Sequence, residues 1–414
     1  MIRGLTWIAV FFAIAIHPCR VVRAETTPTD AFDGRVKALM LKYEVPAGAV
    51  AVTKDDRLVY AQGFGFTDRD GADAVRPETL FRIASVSKPI TCVAILRLVD
   101  VGQLKLDDRA FDRLPQFNLD DVPELDERLR TVTIRQLLEH SGGWDRDVEF
   151  DPMFRAVEVA QELHEPAPAR PDTVIRYMLR SKLDSEPGAR TAYSNFGYCI
   201  LGRVIETVTG KNYGQAVQEL VLGPAGIQRM RLGKSRLAER APDEVWYDDE
   251  VVGETTTSVF PDDRDPVSWC YGGFHLEAMD AHGGWLASPI DLMRFATAVD
   301  GRRGTALLTP DSLREMTQRP SYAPQPTDGA YMGLCWNLRD AGQDKNWWHT
   351  GSLPGTSSLL VRTHHGFAWA AVFNDRPAKA RDRNAFHEEL DALFWQAIEE
   401  IDAWPAEDLF PHFP

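Results

Sequence analysis

Ser85 and Lys88 are the residues of this sequence whose types and spacing most directly suggest a reaction. They lie three positions apart at the start of an apolar, helix-like segment that runs to Leu98, and residues at this spacing share a helix face. A serine hydroxyl is a weak nucleophile until a neighbouring base takes its proton, and an amine can supply that base. No other serine of the chain has a lysine three residues on, although such a pair also arises by chance about once or twice in a chain of this length.

A second motif, Tyr193-Ser194-Asn195, precedes an amphipathic helical pattern and carries a phenol and an amide. Tyr193 is the only tyrosine of the chain with an asparagine two residues on. Taken alone, the motif is typical of a helix start, where Ser194 or Asn195 would cap the first turn. Its significance therefore depends on the rest of the chain.

A third motif, His349-Thr350-Gly351-Ser352, leads towards a predicted edge strand. On its own it is more typical of a polar turn between strands. It acquires a possible role in chemistry only because it follows the two earlier motifs in the chain.

Together the three motifs resemble those of the penicillin-recognising serine hydrolases. The variant is similar to the class C β-lactamase-like family, which includes D-alanyl-D-alanine carboxypeptidases and family VIII-type esterases. Accessory stretches around residues 63–65, 102–108, 133–142 and 283–285 agree, and the resemblance covers roughly residues 30–400. The motifs occur in the family's order: Ser85-x-x-Lys88, Tyr193-x-Asn195 and His349-Thr350-Gly351.

The resemblance implies catalysis through an acyl-serine intermediate. Ser85 Oγ would attack a carbonyl carbon, and the backbone N–H groups of Ser85 and Ser352 would hold the resulting oxyanion. Lys88 would have to be desolvated or share a proton before it could act as a base at neutral pH. Tyr193 would share that proton and protonate the leaving group, and which of Lys88 and Tyr193 is the general base stays open.

Substrate binding is implied for the remaining motif residues. Asn195 would hydrogen-bond both Lys88 and a substrate amide, whereas Thr350, Gly351 and their strand would receive an extended substrate by strand addition. His349 departs from the lysine that many β-lactamases carry, and histidine is mostly neutral at pH 7. Recognition of a substrate carboxylate, and with it efficient β-lactam hydrolysis, is therefore less expected than hydrolysis of esters or D-alanyl peptides.

The elements that must position these motifs predict an α/β (α+β) fold of the β-lactamase/transpeptidase-like type. An antiparallel sheet flanked by terminal helices would form one lobe, about residues 25–104 and 281–414, with a mostly helical and loop-rich lobe, about 105–280, inserted in it. Strands are predicted at residues 48–53, 58–63, 331–337, 359–363 and 367–373. Helices are predicted at residues 30–43, 132–140, 196–208, 289–299 and 385–401, besides the one that begins at Ser85. His140, at the end of the second of these helices, is given a structural role only.

The overall composition limits the classes of function that are expected. The 414 residues are 44% hydrophobic and 26% charged, as in ordinary soluble enzymes. The net charge of −15, without a block of Lys and Arg, gives no electrostatic basis for nucleic-acid binding. No segment reaches the roughly 20 apolar residues that span a bilayer. The expected partner is a small-molecule or peptide substrate, for instance one derived from peptidoglycan, and no cofactor or metal is expected.

The first 24 residues have the pattern of a signal peptide. Arg3 provides a positive start, residues 5–16 are an apolar run, and Val22-Arg23-Ala24 resembles a cleavage site before Glu25. A membrane anchor is the alternative, but the run is short for one. Export to the periplasm or the exterior permits disulfides. The apolar surroundings of the remaining cysteines favour buried thiols, and pairing stays open: Cys92, Cys199, Cys270 and Cys335.

Other functions compete with an exported serine hydrolase of esters, D-alanyl peptides or β-lactam-like amides. A non-catalytic penicillin-binding or sensor protein would be acylated without turnover, but such a scaffold has no need of all four polar residues of the first two motifs. A Ser-His-Asp hydrolase would be expected to show a Gly-x-Ser-x-Gly elbow, which is missing. A metal hydrolase would have to use histidines that lack a His-Glu-x-x-His spacing: His275, His282, His364 and His365.

Overall fold

The computed structural model describes residues 26–148, 150–247, 255–301, 304, 306–323, 329–377 and 380–413. The predicted signal peptide, residues 1–24, lies outside these ranges. Within them the helices are: α1 (Pro28–Lys42), α2 (Ser87–Asp100), α3 (Ile134–Leu138), α4 (Ala156–Glu162), α5 (Pro171–Met178), α6 (Asn195–Thr209), α7 (Tyr213–Val217), α8 (Pro289–Asp300), α9 (Pro310–Thr317) and α10 (Ala380–Glu400).

The strands of the described residues form one large and two small sheets. They are: β1 (Gly48–Lys54), β2 (Arg57–Phe64), β3 (Phe81–Arg82), β4 (Arg231–Leu232), β5 (Thr255–Thr256), β6 (Val267–Ser268), β7 (Trp285–Ala287), β8 (Tyr331–Met332), β9 (Asn337–Ala341), β10 (Asp344–Leu353), β11 (Thr356–Arg362) and β12 (Phe367–Phe373).

The large sheet has seven strands in the order β2-β1-β12-β11-β10-β9-β8, and neighbouring strands pair in antiparallel fashion. β1 lies between β2 and β12, so the first hairpin of the chain joins the last one. The predicted sheet closed by both ends of the chain is thereby confirmed.

The two faces of the large sheet are covered differently. Helices α1 and α10 pack on one face through a cluster that includes Phe32, Val36, Trp369 and Phe394. Helix α8 packs on β1 and β12 from the other side, where the main core also contains the buried face of α2. Burying apolar side chains on both faces is the main stabilising contribution to such a layered arrangement. The terminal helices expected beside the sheet are therefore present.

Capping residues explain where the helices that carry or adjoin the motifs begin and end. Thr133 caps α3 in a capping box with Gln136. Ser194 Oγ accepts a hydrogen bond from the Gly197 N–H and so caps α6, as the sequence suggests. Gly210 ends α6 in the left-handed conformation, φ 67°.

One predicted strand is wrong. Residues 331–337 form the short hairpin β8–β9, in which Tyr331 pairs with Leu338. The reason is local: Cys335 has a φ of 74° and the Gly333 N–H donates to the Trp336 carbonyl, so the chain turns back on itself there. The predicted division into two lobes remains a prediction, although α3 to α7 do lie within residues 105–280.

Two further expectations concern membranes and thiols. In the part of the chain that the structure describes, no helix combines the length and apolar character needed to cross a bilayer. Cys92, Cys199, Cys270 and Cys335 are all buried free thiols, as their apolar surroundings predict.

Candidate active site

Ser85 lies in a tight turn between strand β3 and helix α2. Ala84, Ser85 and Val86 form a single 3₁₀ turn, and Ala84 adopts a φ of 46°, which is costly for a residue with a Cβ. The Ser358 hydroxyl, on β11, donates to the Ile83 carbonyl at 2.7 Å and ties this turn to the sheet. Ser85 is half-buried, so its hydroxyl is held in place but can still be reached.

Lys88 lies in the first turn of α2 and is fully buried. Its Nζ is 3.0 Å from Ser85 Oγ and 2.9 Å from the His282 carbonyl oxygen, to which it donates. The pKa of Lys88 is lowered to about 7, chiefly by burial; Cys335 opposes this decrease and the nearby Arg146 charge contributes to it. A sizeable fraction of the amine is therefore neutral near pH 7 and able to accept a proton.

Tyr193 approaches the same hydroxyl from the loop before α6. Its ring centroid lies 4.9 Å from Lys88 Nζ, and a hydrogen bond with Ser85 lowers the pKa of the phenol. Burial has the larger effect and leaves that pKa above its ordinary value. Tyr193 is thus a neutral proton donor at pH 7. The Ser85, Lys88 and Tyr193 side chains, predicted to act together, are brought into one cluster.

His140 positions Tyr193, a role that the sequence interpretation missed. Its ring stacks on the Tyr193 ring at 4.3 Å, its Nδ1 accepts from the Ser194 N–H at 3.1 Å, and its carbonyl accepts from the Ala192 N–H at 2.7 Å. The φ of 56° at His140 turns the chain so that both groups face the tyrosine loop. Burial holds the pKa of His140 well below its usual range, so the ring is neutral.

Asn195 makes a different contact from the one expected. Its Nδ2 donates to Asp151 Oδ2 at 2.5 Å. Lys88 Nζ, the partner expected from the sequence, contacts Ser85 Oγ and the His282 carbonyl oxygen instead. Its Oδ1 is buried and forms no hydrogen bond with the described residues. The amide oxygen is therefore the acceptor of Asn195 that has no partner among the described residues.

Two charged residues that were not predicted adjoin this cluster. The Arg146 guanidinium lies 4.4 Å from the Tyr193 ring centroid and its Nη1 is 4.0 Å from Asp151 Oδ2. Asp151 raises the pKa of both Lys88 and Tyr193, whereas Arg146 lowers both. Neither residue belongs to a short motif, and only the fold brings them to the site.

His349 lies on the face of β10 that is turned towards Ser85, and it is 2% exposed. Burial, assisted by the Lys88 charge, lowers its pKa to about 3. Its Nδ1 lies 2.7 Å from the Thr350 carbonyl, and its Nε2 has no hydrogen-bond partner among the described residues. His349 is therefore neutral at pH 7 and does not replace a lysine as a cation.

Gly351 allows β10 to contact the turn of residues 84–86 that holds Ser85, called the nucleophile turn below. A Cβ at this position would collide with the Ile83 carbonyl oxygen and the Ser358 hydroxyl, and would lie 3.2 Å from the Ala84 Cβ. Strand alternation points the Thr350 side chain to the opposite face, where it lines a cavity with Trp348. The expected contact of Thr350 with a substrate is thus restricted to its backbone.

The end of β10 has a free edge. Residues 344–348 pair with β9, whereas residues 349–353 pair only with β11 among the described residues. Unpaired backbone groups on an edge can receive an extended peptide. Ser352 is half-buried on this edge, and Arg376 Nη1 lies 3.5 Å from its hydroxyl.

The four histidines weighed as metal ligands do not assemble. His282 is buried beside Lys88, and His275 Nδ1 lies 2.9 Å from the Ala169 carbonyl. His364 and His365 contact each other in the turn between β11 and β12. Across the described ranges, no three His, Cys, Asp or Glu side chains are grouped as metal ligands.

Comparison with known proteins identifies chains that are similar to this one. A family model described as Beta-lactamase matches residues 32–394. Penicillin-binding protein 4 of Amycolatopsis lactamdurans is 29% identical over an alignment of 387 residues, and the match covers 90% of this chain and 92% of that protein. Penicillin-binding protein 4* of Bacillus subtilis is 24% identical over 76% of this chain and 65% of that protein.

Solved structures show the same fold. D-amino acid amidase from Ochrobactrum anthropi SV3, complexed with L-phenylalanine amide, gives a TM-score of 0.69 at 22% identity, over 91% of this chain and 99% of that chain. The octameric penicillin-binding protein homologue from Pyrococcus abyssi gives 0.66 at 22% identity, over 89% and 78% of the two chains.

Proposed function

Because the chain belongs to the beta-lactamase family of penicillin-recognising serine hydrolases and has its β-lactamase/transpeptidase-like fold, we propose that it is an exported amidohydrolase of D-aminoacyl amides and D-alanyl peptides. Small esters are its secondary substrates. The observation that carries the proposal is the buried Lys88 amine, 3.0 Å from Ser85 Oγ, with a pKa of about 7. A base with a pKa near the working pH is the most effective kind.

The first half of the reaction forms the acyl-enzyme. Ser85 Oγ bonds to the carbonyl carbon of the scissile amide while its proton passes to the neutral Lys88 Nζ. The backbone N–H groups of Ser85 and Ser352 stabilise the negative charge that develops on the carbonyl oxygen. The raised pKa of Tyr193 favours Lys88 over Tyr193 as the base, because the phenol keeps its proton at pH 7.

The second half releases both products. The C–N bond breaks as the Tyr193 hydroxyl donates its proton to the leaving nitrogen, and Lys88 returns a proton to the phenolate. A water molecule then attacks the acyl carbon, Ser85 Oγ leaves and regains a proton, and the carboxylic acid departs. His140 is a positioning residue in this scheme, since it acts only through the Tyr193 ring and its loop.

The substrate class is supported by charge as well as by the relatives. D-amino acid amidase is among the structural neighbours, and a D-stereospecific amidohydrolase from Streptomyces sp. is another. Neutral His349 offers no cation to the carboxylate of a β-lactam. Asp151, held by Asn195, offers a carboxylate to the free ammonium group of an aminoacyl substrate.

The test is side-by-side turnover of D-phenylalaninamide, a D-Ala-D-Ala peptide, a short-chain p-nitrophenyl ester and a cephalosporin. We expect steady turnover of the first three, with the amide or the peptide giving the highest kcat/KM, and the cephalosporin giving the lowest. A cephalosporin preference would contradict the substrate assignment. A burst of one equivalent of p-nitrophenol without a steady state would favour the non-catalytic, sensor-type alternative.

Export is tested separately. N-terminal sequencing of the protein recovered from the periplasm or the medium of the native host should begin at Glu25. An intact Met1 on the recovered protein would contradict cleavage near Ala24.

A further inference from the structure

A second cavity lies behind the strand that carries the His349-Thr350-Gly351 motif. It has a volume of about 380 Å³ and separates the far face of β10 and β11 from helix α10. Small-molecule sites have volumes of roughly 300–1,000 Å³. Its lining comes from these elements and from β9, and it includes the following described residues: Arg339, Trp348, Leu359, Val361, Asp391 and Trp395.

One part of the cavity wall is apolar and aromatic, and side chains such as Asn346, Asn384 and His387 make the rest polar. Leu359 and Val361 form the sheet side, and the indole rings of Trp348 and Trp395 are both half-buried there. Two tryptophans that keep part of their rings accessible can stack on an aromatic or aliphatic group. The apolar part of a ligand is therefore accommodated between the sheet and α10.

Three charged side chains line the cavity: Arg339, Asp391 and the exposed Glu388. Arg339 and Asp391 form no ion pair within 4 Å with any residue in the described ranges, and Asp391 Oδ1 is a buried oxygen without a hydrogen-bond partner there. The Arg339 guanidinium lies 5.5 Å from the Trp348 ring centroid. Burial raises the pKa of Asp391, and the Trp395 indole, the Arg339 charge and the Trp369 indole offset this increase only in part. A half-buried carboxylate of this kind gains from a cationic partner.

We propose that this cavity binds a free amino acid with an apolar side chain. Its carboxylate pairs with Arg339, its ammonium group pairs with Asp391, and its side chain packs between Trp348 and Trp395. A zwitterion places an anionic group at Arg339 and a cationic group at the carboxylates of Asp391 and Glu388, whereas an amine alone leaves Arg339 without a partner and a carboxylic acid alone leaves the two carboxylates without one. No covalent step is involved.

The cavity is coupled to the reaction face through β10. The Thr350 side chain faces the cavity, and the next residue, Gly351, contacts the turn that holds Ser85. His387 of α10 also lines the cavity, and burial lowers its pKa, against smaller opposing effects of nearby backbone groups that include Ser358 and Gly351. A ligand in the cavity therefore contacts β10, the strand that also packs against the turn that holds Ser85. Under the proposed function, the amino acid bound in this cavity is also a product of the enzyme. This one point rests on the proposed function.

Binding is tested by calorimetric titration of the Ser85→Ala protein with D- and L-phenylalanine, phenethylamine and 3-phenylpropanoate. This protein cannot turn over, so the result does not depend on the proposed function. We expect saturable binding of phenylalanine, and binding of each single-charge analogue that is weaker by about tenfold or more, since a charge-assisted contact contributes about 1.5–3 kcal/mol. Equal affinity for phenethylamine and phenylalanine, or no saturable binding of phenylalanine, would overturn the proposal.

Two variants locate the site, because phenylalanine can also enter the catalytic cleft. Arg339→Gln should weaken phenylalanine and 3-phenylpropanoate but not phenethylamine, whereas Asp391→Asn should weaken phenylalanine and phenethylamine but not 3-phenylpropanoate. Arg319→Gln is the matched control, since Arg319 lies over the Tyr331 ring outside the cavity. Thermal unfolding verifies that each variant is folded. Phenylalanine binding that survives both cavity variants would place the ligand elsewhere and overturn the assignment.

Discussion

The two faces of strand β10 differ in packing and in charge. On the face towards Ser85, His349 is buried and neutral and Gly351 leaves no gap between the strand and the nucleophile turn. On the face towards α10, Thr350 borders a cavity of about 380 Å³ that also holds Arg339 and Asp391 without an ion pair between them.

The difference shows what each face can do. Burial on the reaction face shifts the pKa values of Lys88 and His349 downwards and so prepares a neutral amine beside a hydroxyl. On the half-open rear face Arg339 and Asp391 line the same cavity without a salt bridge, an arrangement that suits reversible binding and not proton transfer. One strand can therefore serve catalysis through one set of alternate residues and ligand binding through the other.

The largest expected effect comes from Ser85→Ala, which tests whether the reaction face is correctly identified. We expect kcat/KM to fall by about 10⁴-fold or more, the scale on which removal of a serine nucleophile acts, and labelling by a fluorescent penicillin or a fluorophosphonate to disappear. Ser181→Ala, on a turn after α5, is the control. Undiminished labelling of the Ser85→Ala protein would put the nucleophile elsewhere.

Gly351→Ala tests whether close packing on this face matters for the reaction. The added methyl group must displace the Ile83 carbonyl or the Ser358 hydroxyl, which together hold the Ser85 turn. A displacement of about 1 Å can cost on the order of 100-fold in rate, so we expect kcat to fall by about that factor.

Gly34→Ala provides the matched control for this change, because a Cβ at Gly34 meets no atom within 4 Å. Its activity and its unfolding temperature should stay close to those of the wild type. A Gly351→Ala protein with normal kcat would show that the contact between β10 and the nucleophile turn is not needed.

The sequence predicted the reaction face better than the rear face. That Ser85, Lys88 and Tyr193 lie together could be predicted because their motifs have fixed order and spacing, and the sheet could be predicted from the alternation of its strands. The direction of the Thr350 side chain could not, because it depends on the register and on which face of β10 receives the nucleophile turn.

Residues outside short motifs were also missed. Asp151 and Arg146 reach the site through loops whose path depends on the whole fold, so the predicted contact between Asn195 and Lys88 is replaced by one between Asn195 and Asp151. His140 did leave a signal in the accessory stretch before Gly142, but its stacking on Tyr193 follows only from the left-handed conformation at His140. The broken strand at residues 331–337 has a similar origin at Cys335.

The pH dependence of acylation tests whether burial prepares the amine. Lys88 acts when neutral, and its pKa is lowered to about 7, so kcat/KM should fall about tenfold for each pH unit below that value. Arg146→Gln removes a charge that lowers the pKa of Lys88, and the midpoint should therefore move to higher pH. A profile that is flat from pH 5 to 8, or a midpoint that moves to lower pH in the variant, would contradict this role of Lys88.

The smallest expected effect is that of Thr350→Val, and it tests the division between the two faces most directly. The change keeps the shape of the side chain and removes only its hydroxyl, which faces α10 and not Ser85. A substitution that touches no reacting group changes free energies by about 0.5 kcal/mol or less, which corresponds to roughly a twofold change in kcat/KM for an amide or an ester. A loss of tenfold or more, without a change in unfolding temperature, would mean that the hydroxyl reaches the substrate and that both faces of β10 take part in the reaction.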